Sequence, residues 1–122
     1  MELRRPLVAL LLAPDEEMWE RALDGRKRIS IREGHRDYRV HETLMVCCHI
    51  RDSAFMATVT GVRHCLLREV TQEECAADGF DSQAALLAGL QAFYPNLTLD
   101  SAVTVLRWGD TRGTSVQRYT LS

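Results

Sequence analysis

The sequence predicts an α+β fold: a small mixed β-barrel of five to seven strands with two or three flanking helices. Three observations lead there. Apolar and polar residues alternate over 28–32, 54–62 and 101–108, the two-residue period of strands with one buried face. The segments 15–24 and 81–94 instead space their apolar residues as helices do. Finally, 122 residues with 46% apolar and 26% charged composition suit one ordinary core, and no repeat, low-complexity tract or linker divides the chain.

Pro6 to Leu12 is almost wholly apolar and reads as a central strand covered on both faces. Arg4-Arg5 before it imitates a signal peptide only faintly, because the apolar run is short and leads straight into Pro14 and an acidic helix start. No stretch approaches the ~20 apolar residues of a membrane span, so a cytoplasmic protein away from membranes is expected. Asp15, Glu16 and Glu17 sit where the helix dipole is positive, with Met18, Trp19 and Ala22 on the inner side. Gly25 falls where a left-handed cap would end this helix. Arg28 to Arg32 is a strand, with Ile29 and Ile31 facing the core and Arg28, Ser30 and Arg32 on the other side. Lys27 lies at its mouth, and strict parity groups it with the isoleucines unless the entry is twisted or bulged.

Glu33 to Arg39 is a polar loop of the kind that carries binding groups. Thr43 to Arg51 and Ala54 to Val62 form a hairpin across Asp52-Ser53, with either a bulge or a close backbone approach expected at Gly61. Val62 to Arg68 continues as extended chain. Thr71 and Glu74 make a capping box for a short helix that stops at Asp78-Gly79. Asp81 or Ser82 caps the next helix, whose Leu86, Leu87, Leu90 and Phe93 form a core stripe ended by Tyr94-Pro95. Ser101 to Trp108 closes the sheet. The single domain thus has its core at about 6–108, and 109–122 form a tail or edge strand.

A net charge of −2 argues against a polyanion binder held by bulk charge. Locally, six basic residues (Arg26, Lys27, Arg28, Arg32, Arg36, Arg39) outnumber Glu33 and Asp37, a patch suited to a phosphate. Cys47, Cys48, Cys65 and Cys75 show no C-x-x-C spacing, so reduced thiols are expected and no metal site. His64 and Cys65 are strand neighbours and diverge. Lys27 and Ser30, three residues apart, are the material for a Ser/Lys site, since a desolvated amine titrates nearer neutrality and takes the hydroxyl proton.

Trp19 on a helix, then Gly25, Lys27, Ser30 and Arg32, resemble the ASCH domain, a PUA-like β-barrel family marked by G-x-K-x-x-E/T-x-R. Where that family has a V-G-D turn, this chain has Val40-His41-Glu42. Val70 to Phe80, Leu86-Leu87 and Phe93-Tyr94-Pro95 are similar to the second half of short bacterial ASCH proteins, among them the N4-acetylcytidine amidohydrolases. The resemblance spans roughly Ala9 to Trp108. It implies Lys27, Ser30 and Asp78 as the catalytic set, in the places of a lysine, a threonine and a glutamate. Lys27 would be general base and proton donor, Ser30 the nucleophile, and Asp78 the group that orients Lys27 or shuttles a proton. Arg32 and amides near Gly34 would stabilise an oxyanion. Arg26, Arg28, Arg32, Arg36, Arg39 and Trp19 form the candidate substrate or phosphate-binding set, with no cofactor. The expected partner is a modified nucleoside or single-stranded RNA. The alternative reading is an RNA-binding ASCH module, with ribonuclease activity as a variant. Oligomeric state is not legible.

Overall fold

The structure, a computed structural model, describes residues 8–12, 15–48 and 52–113. The expectations for 1–7, Pro14, the end of the 43–51 strand and 116–121 lie outside those residues.

Chain order is β1 (Val8–Leu12), α1 (Glu16–Leu23), β2 (Ile29–Glu33), β3 (Thr43–Cys48), β4 (Ala54–Leu66), a 3-10 turn (Leu67–Glu69), α2 (Gln72–Ala77), α3 (Gln83–Gln91) and β5 (Ala102–Arg112). The five strands form one curled half-barrel sheet in the order β1-β3-β4-β5-β2. β1 runs parallel to β3, and every other pairing is antiparallel. This is the small α+β architecture expected, with five strands and three helices among the described residues. No helix among the described residues is long and apolar enough to cross a membrane.

The helix ends follow sequence chemistry. Asp15 accepts from the Met18 amide at 2.8 Å at the start of α1, and Gly25 takes φ 84° just past its end. Thr71 and Glu74 close the capping box of α2, Gly79 (φ 93°) follows it, and Ser82 caps α3 through the Ala85 amide. β4 is one strand of 13 residues. It stays paired with β5 along its length through two register shifts, one between Val59 and Gly61, at the glycine, and one between Met56 and Thr58.

Three expectations change. β1 is an edge strand, not a central one: Leu10 and Leu12 are buried but Leu11 is 55% exposed. The uninterrupted apolar run arises because Leu11 lies at the rim of a cleft instead of under a second layer. Lys27 and Arg28 precede β2, so strand parity does not govern Lys27. And β5 runs on to Arg112, past the polar residues taken to begin a tail, because Thr58 and Met56 of β4 still pair with it.

At the turn where the family pattern has glycine, His41 adopts φ 78°. The turn holds because Glu42 N–H donates to Arg39 O, His41 N–H to Val59 O, and Val59 N–H back to Glu42 O. A left-handed conformation costs a non-glycine residue about 1–2 kcal/mol, partly offset by the greater unfolded-state freedom of glycine. His41→Gly is therefore expected to stabilise the fold by about 0.5–1 kcal/mol in urea unfolding, with an unchanged m-value.

Two cores share the sheet. One gathers Leu10, Trp19, Leu44, Val46, Phe55, Val59 and Trp108 around α1; the other gathers Ile29, Ile31, Leu67, Leu86, Leu97 and Val105 under α2 and α3. The edges β1 and β2 face each other across the open side of the curl, where Arg32 Nη2 of β2 donates to Leu11 O of β1 at 3.1 Å. That seam contains the site.

Candidate active site

Two helix endings deliver the central pair. After Gly25 the chain folds back, the amides of Arg26 and Lys27 both donating to Arg21 O at 2.9 Å, and Lys27 is turned inward at 5% exposure. Asp78 is the residue that closes α2, and it too is buried, at 6%. Lys27 Nζ donates to Asp78 Oδ1, forming an ion pair across 51 positions of sequence, and to Ile29 O at 2.7 Å. Burial pushes the Asp78 carboxyl above its ordinary range; the Lys27 ammonium, the Ile31 amide and Arg32 act in the opposite direction.

The other buried carboxylate makes the contrast. Burial also acts to raise Glu74, but the Thr71 amide and the Arg63 guanidinium pull it below the usual range. Glu74 is thus a fully served cap, whereas Asp78 is held in a perturbed state beside a cavity, the signature expected of a working group.

Ser30 and Arg32 lie on one side of β2. Ser30 is buried, at 6% exposure, and its hydroxyl accepts from Arg32 Nη1 at 3.3 Å. Its bond is to Arg32 and not to Lys27, whose hydrogens go to Ile29 and Asp78; the direct Ser/Lys bond that sequence suggested is not formed. Arg32 Nε is buried without a partner among the described residues, leaving one strong donor beside the hydroxyl.

These groups open onto a cleft of about 250 Å³. Lys27, Ser30, Arg32 and Asp78 form its polar floor; Leu11 and Leu12 of β1 stand on one side, with Phe80, Phe93 and Tyr94 at the ends of α3 on the other. Few precisely placed polar groups in an apolar recess is the usual make-up of a small-molecule site. Phe80 rests directly on Gly89, where an added Cβ would lie 2.5 Å from its ring, so the glycine is the seat of that ring.

The remaining sequence candidates lie elsewhere. Trp19 is fully buried, its ring 5.7 Å from Phe55, and has no face for a base. Its spacing on α1 is that of a core residue, and the cleft's aromatic wall comes from α3. Sequence alone assigned Leu90 and Phe93 to the core stripe; Phe93 is 58% exposed and lines the cleft, a difference its position at the last turn before Pro95 foreshadows. The basic patch is dispersed: Arg26 pairs with Asp24 at 2.7 Å, Arg28 Nε donates to Gly25 O, Arg36 Nε to Glu33 O, and Arg39 meets Asp37 at 3.5 Å. Arg28, Arg36 and Arg39 do not line the cleft. Amides near Gly34 are likewise occupied, Gly34 by Ala102 O and Arg36 by Thr104 Oγ1, so only Arg32 of the proposed oxyanion donors faces the site. All four cysteines are free thiols; burial pushes Cys47, Cys65 and Cys75 up, away from reactive thiolate. His64 turns from Cys65 to stack on His35 at 4.7 Å. Among the described residues no group of three His, Cys, Asp or Glu side chains is placed to hold a metal.

No protein-family model and no curated protein sequence matches the chain. Solved structures do. A protein of Enterococcus faecalis described as DUF984 superposes with TM-score 0.65 at 10% identity, over 94% of this chain and 86% of that one. A mutant of the Zymomonas mobilis ASCH protein gives 0.62 at 12% identity, over 87% and 70%. An ASCH domain of Lactobacillus crispatus gives 0.61 at 17%, over 84% and 78%. At such identities the likeness speaks for backbone architecture, and on that ground the chain has the ASCH-domain fold.

Proposed function

We propose that this protein is an amidohydrolase that removes the acyl group from an N4-acylated cytosine nucleoside. The observation that carries the reading is the buried Lys27–Asp78 pair set beside the Ser30 hydroxyl on the floor of an aromatic-walled cleft.

The chemistry runs in two halves. Burial raises Asp78 above its ordinary range, so the pair starts the reaction when the carboxylate takes a proton from Lys27. The amine then turns to Ser30, takes the hydroxyl proton, and lets Oγ attack the acyl carbon. Arg32, with its unpartnered Nε–H, is the donor for the developing oxyanion. Lys27 then gives the proton to N4 as the C–N bond breaks, releasing cytidine and leaving an ester on Ser30. In the second half water attacks that ester, Lys27 accepts the water proton, and the proton returns to Oγ as the C–O bond breaks. The free acid leaves as carboxylate, and its proton passes to solvent.

An apolar cleft with one arginine suits a single nucleoside better than a polymer, because the other arginines of the patch are held in local contacts away from it. Wild-type protein should release acetate from N4-acetylcytidine, and Ser30→Ala should not. Absence of release by the wild type, with tight salt-sensitive RNA binding, would replace this reading by the RNA-binding one.

Phe93 stands at the rim, so its ring is expected to hold the base by stacking, worth about 1–3 kcal/mol. Phe93→Ala should raise KM about tenfold with kcat changed less than about twofold, the pattern of lost uniform binding. Its exposure makes misfolding an unneeded explanation.

A further inference from the structure

The Lys27–Asp78 pair has a second cavity behind it. A recess of about 240 Å³ is lined by Met18, Arg21, Arg26, Ala76, Ala77 and Gly79, together with Lys27 and Asp78 themselves. The front cleft shares three of these residues, Met18, Lys27 and Asp78, so the ion pair and one methionine form the partition between two chambers. Met18 Cε lies 3.0 Å from where a Cβ on Gly79 would be, so a glycine is what leaves room for this partition. An unbranched thioether with three rotatable bonds is a partition that yields readily.

The two chambers differ in chemistry. The front is walled by Leu11, Leu12, Phe80, Phe93 and Tyr94; the rear counts two cationic residues, Arg21 and Arg26, in its lining. Their partners, Glu17 and Asp24, do not line the recess, and as exposed pairs they hold the arginines weakly. The proposed reaction yields an aromatic amine and a small anion, and after acylation the front is filled by the departing nucleoside.

We infer that the rear recess is a small-carboxylate site, through which water reaches the acyl-Ser30 ester and the carboxylate product leaves past Arg21 and Arg26. The inference rests on the hydrolase reading and extends it: cytidine leaves by the apolar front, and acetate by the cationic rear. Electrostatics favours this division, since a carboxylate crossing the aromatic cleft would shed its hydration with a single arginine to replace it.

Ala77 is exposed on the last turn of α2 and lines only the rear recess, so Ala77→Trp plugs it without touching the front. With N4-acetylcytidine, Ala77→Trp is expected to lower steady-state turnover about tenfold while the first release of cytidine stays within about twofold, turning the time course into a stoichiometric burst. Ala77→Ser should behave as wild type, and cytidine affinity and melting temperature should match across all three. Added acetate should inhibit the wild type without competing with nucleoside, and inhibit Arg21→Ala/Arg26→Ala much less. If Ala77→Trp turns over like the wild type, or acetate competes directly with nucleoside, the rear site is wrong and the hydrolase reading stands. If the wild type releases no acetate at all, the hydrolase reading falls and this inference with it.

Discussion

Lys27→Met is expected to reduce acetate release from N4-acetylcytidine by about 10³-fold or more, because general acid–base transfer and activation of the nucleophile are lost with one group. The amine is bonded to Asp78 and lines the same cleft as Ser30. Methionine keeps the length and apolar stem of the side chain, so the cleft should retain its shape. Cytidine affinity is the check: it should change less than about threefold, since base stacking falls to the α3 wall. Equal loss of affinity and turnover would mean that Lys27 shapes the cleft and moves no proton.

The second large effect is on stability and is not additive. Lys27→Met leaves the Asp78 carboxyl buried without its cation, and breaking a buried pair on one side costs about 3–5 kcal/mol. Combining it with Asp78→Leu removes the stranded charge, so the double variant should recover most of that loss and come within about 1 kcal/mol of wild type or above it. The pH dependence has a definite sign. Burial raises Asp78 in the native state, so the folded protein binds this proton more tightly than the unfolded chain, and ionising it costs stability as pH rises above the ordinary carboxylate value. Removing the ammonium that opposes the rise widens that window. The deficit of Lys27→Met should therefore grow as pH rises above the ordinary carboxylate range and shrink toward acid, as denaturant titrations at several pH values would show. Simple additivity of the two variants would mean that Lys27 and Asp78 do not interact and that no coupled buried pair is present.

What the sequence made legible follows from the range of the interactions involved. Short-range chemistry was legible: Thr71 caps α2 as its capping box implies, Gly25 and Gly79 follow the helix ends, and of the alternatives at the start of α3 and at Gly61 the structure takes the Ser82 cap and the bulge. The meeting of Lys27 with Asp78 came from resemblance, because nothing local in a helix-end aspartate announces a partner 51 residues away. Curvature was not legible. The curl of the sheet brings β1 against β2, which turns Leu11 from a core residue into a rim residue and gives the carbonyl of Leu11 to Arg32. Nor did the charge count of the 26–39 segment reveal that Arg26, Arg28, Arg36 and Arg39 would be spent on neighbours within three residues of themselves. Trp19 belongs to the inner side of α1 and, because an indole face can hold a base, also to the candidate binding set; its full burial leaves only the core role.

The most direct measurement is to mix protein with N4-acetylcytidine, quench in acid at short times, and locate any added acetyl group by peptide mass spectrometry. An acetyl group on Ser30 that appears and decays at the rate of turnover is the expected result, absent from Lys27→Met and Ser30→Ala. Turnover with an unmodified Ser30 at every time point, or an acetyl group lodged on Lys27 instead, would contradict a serine nucleophile driven by the buried lysine.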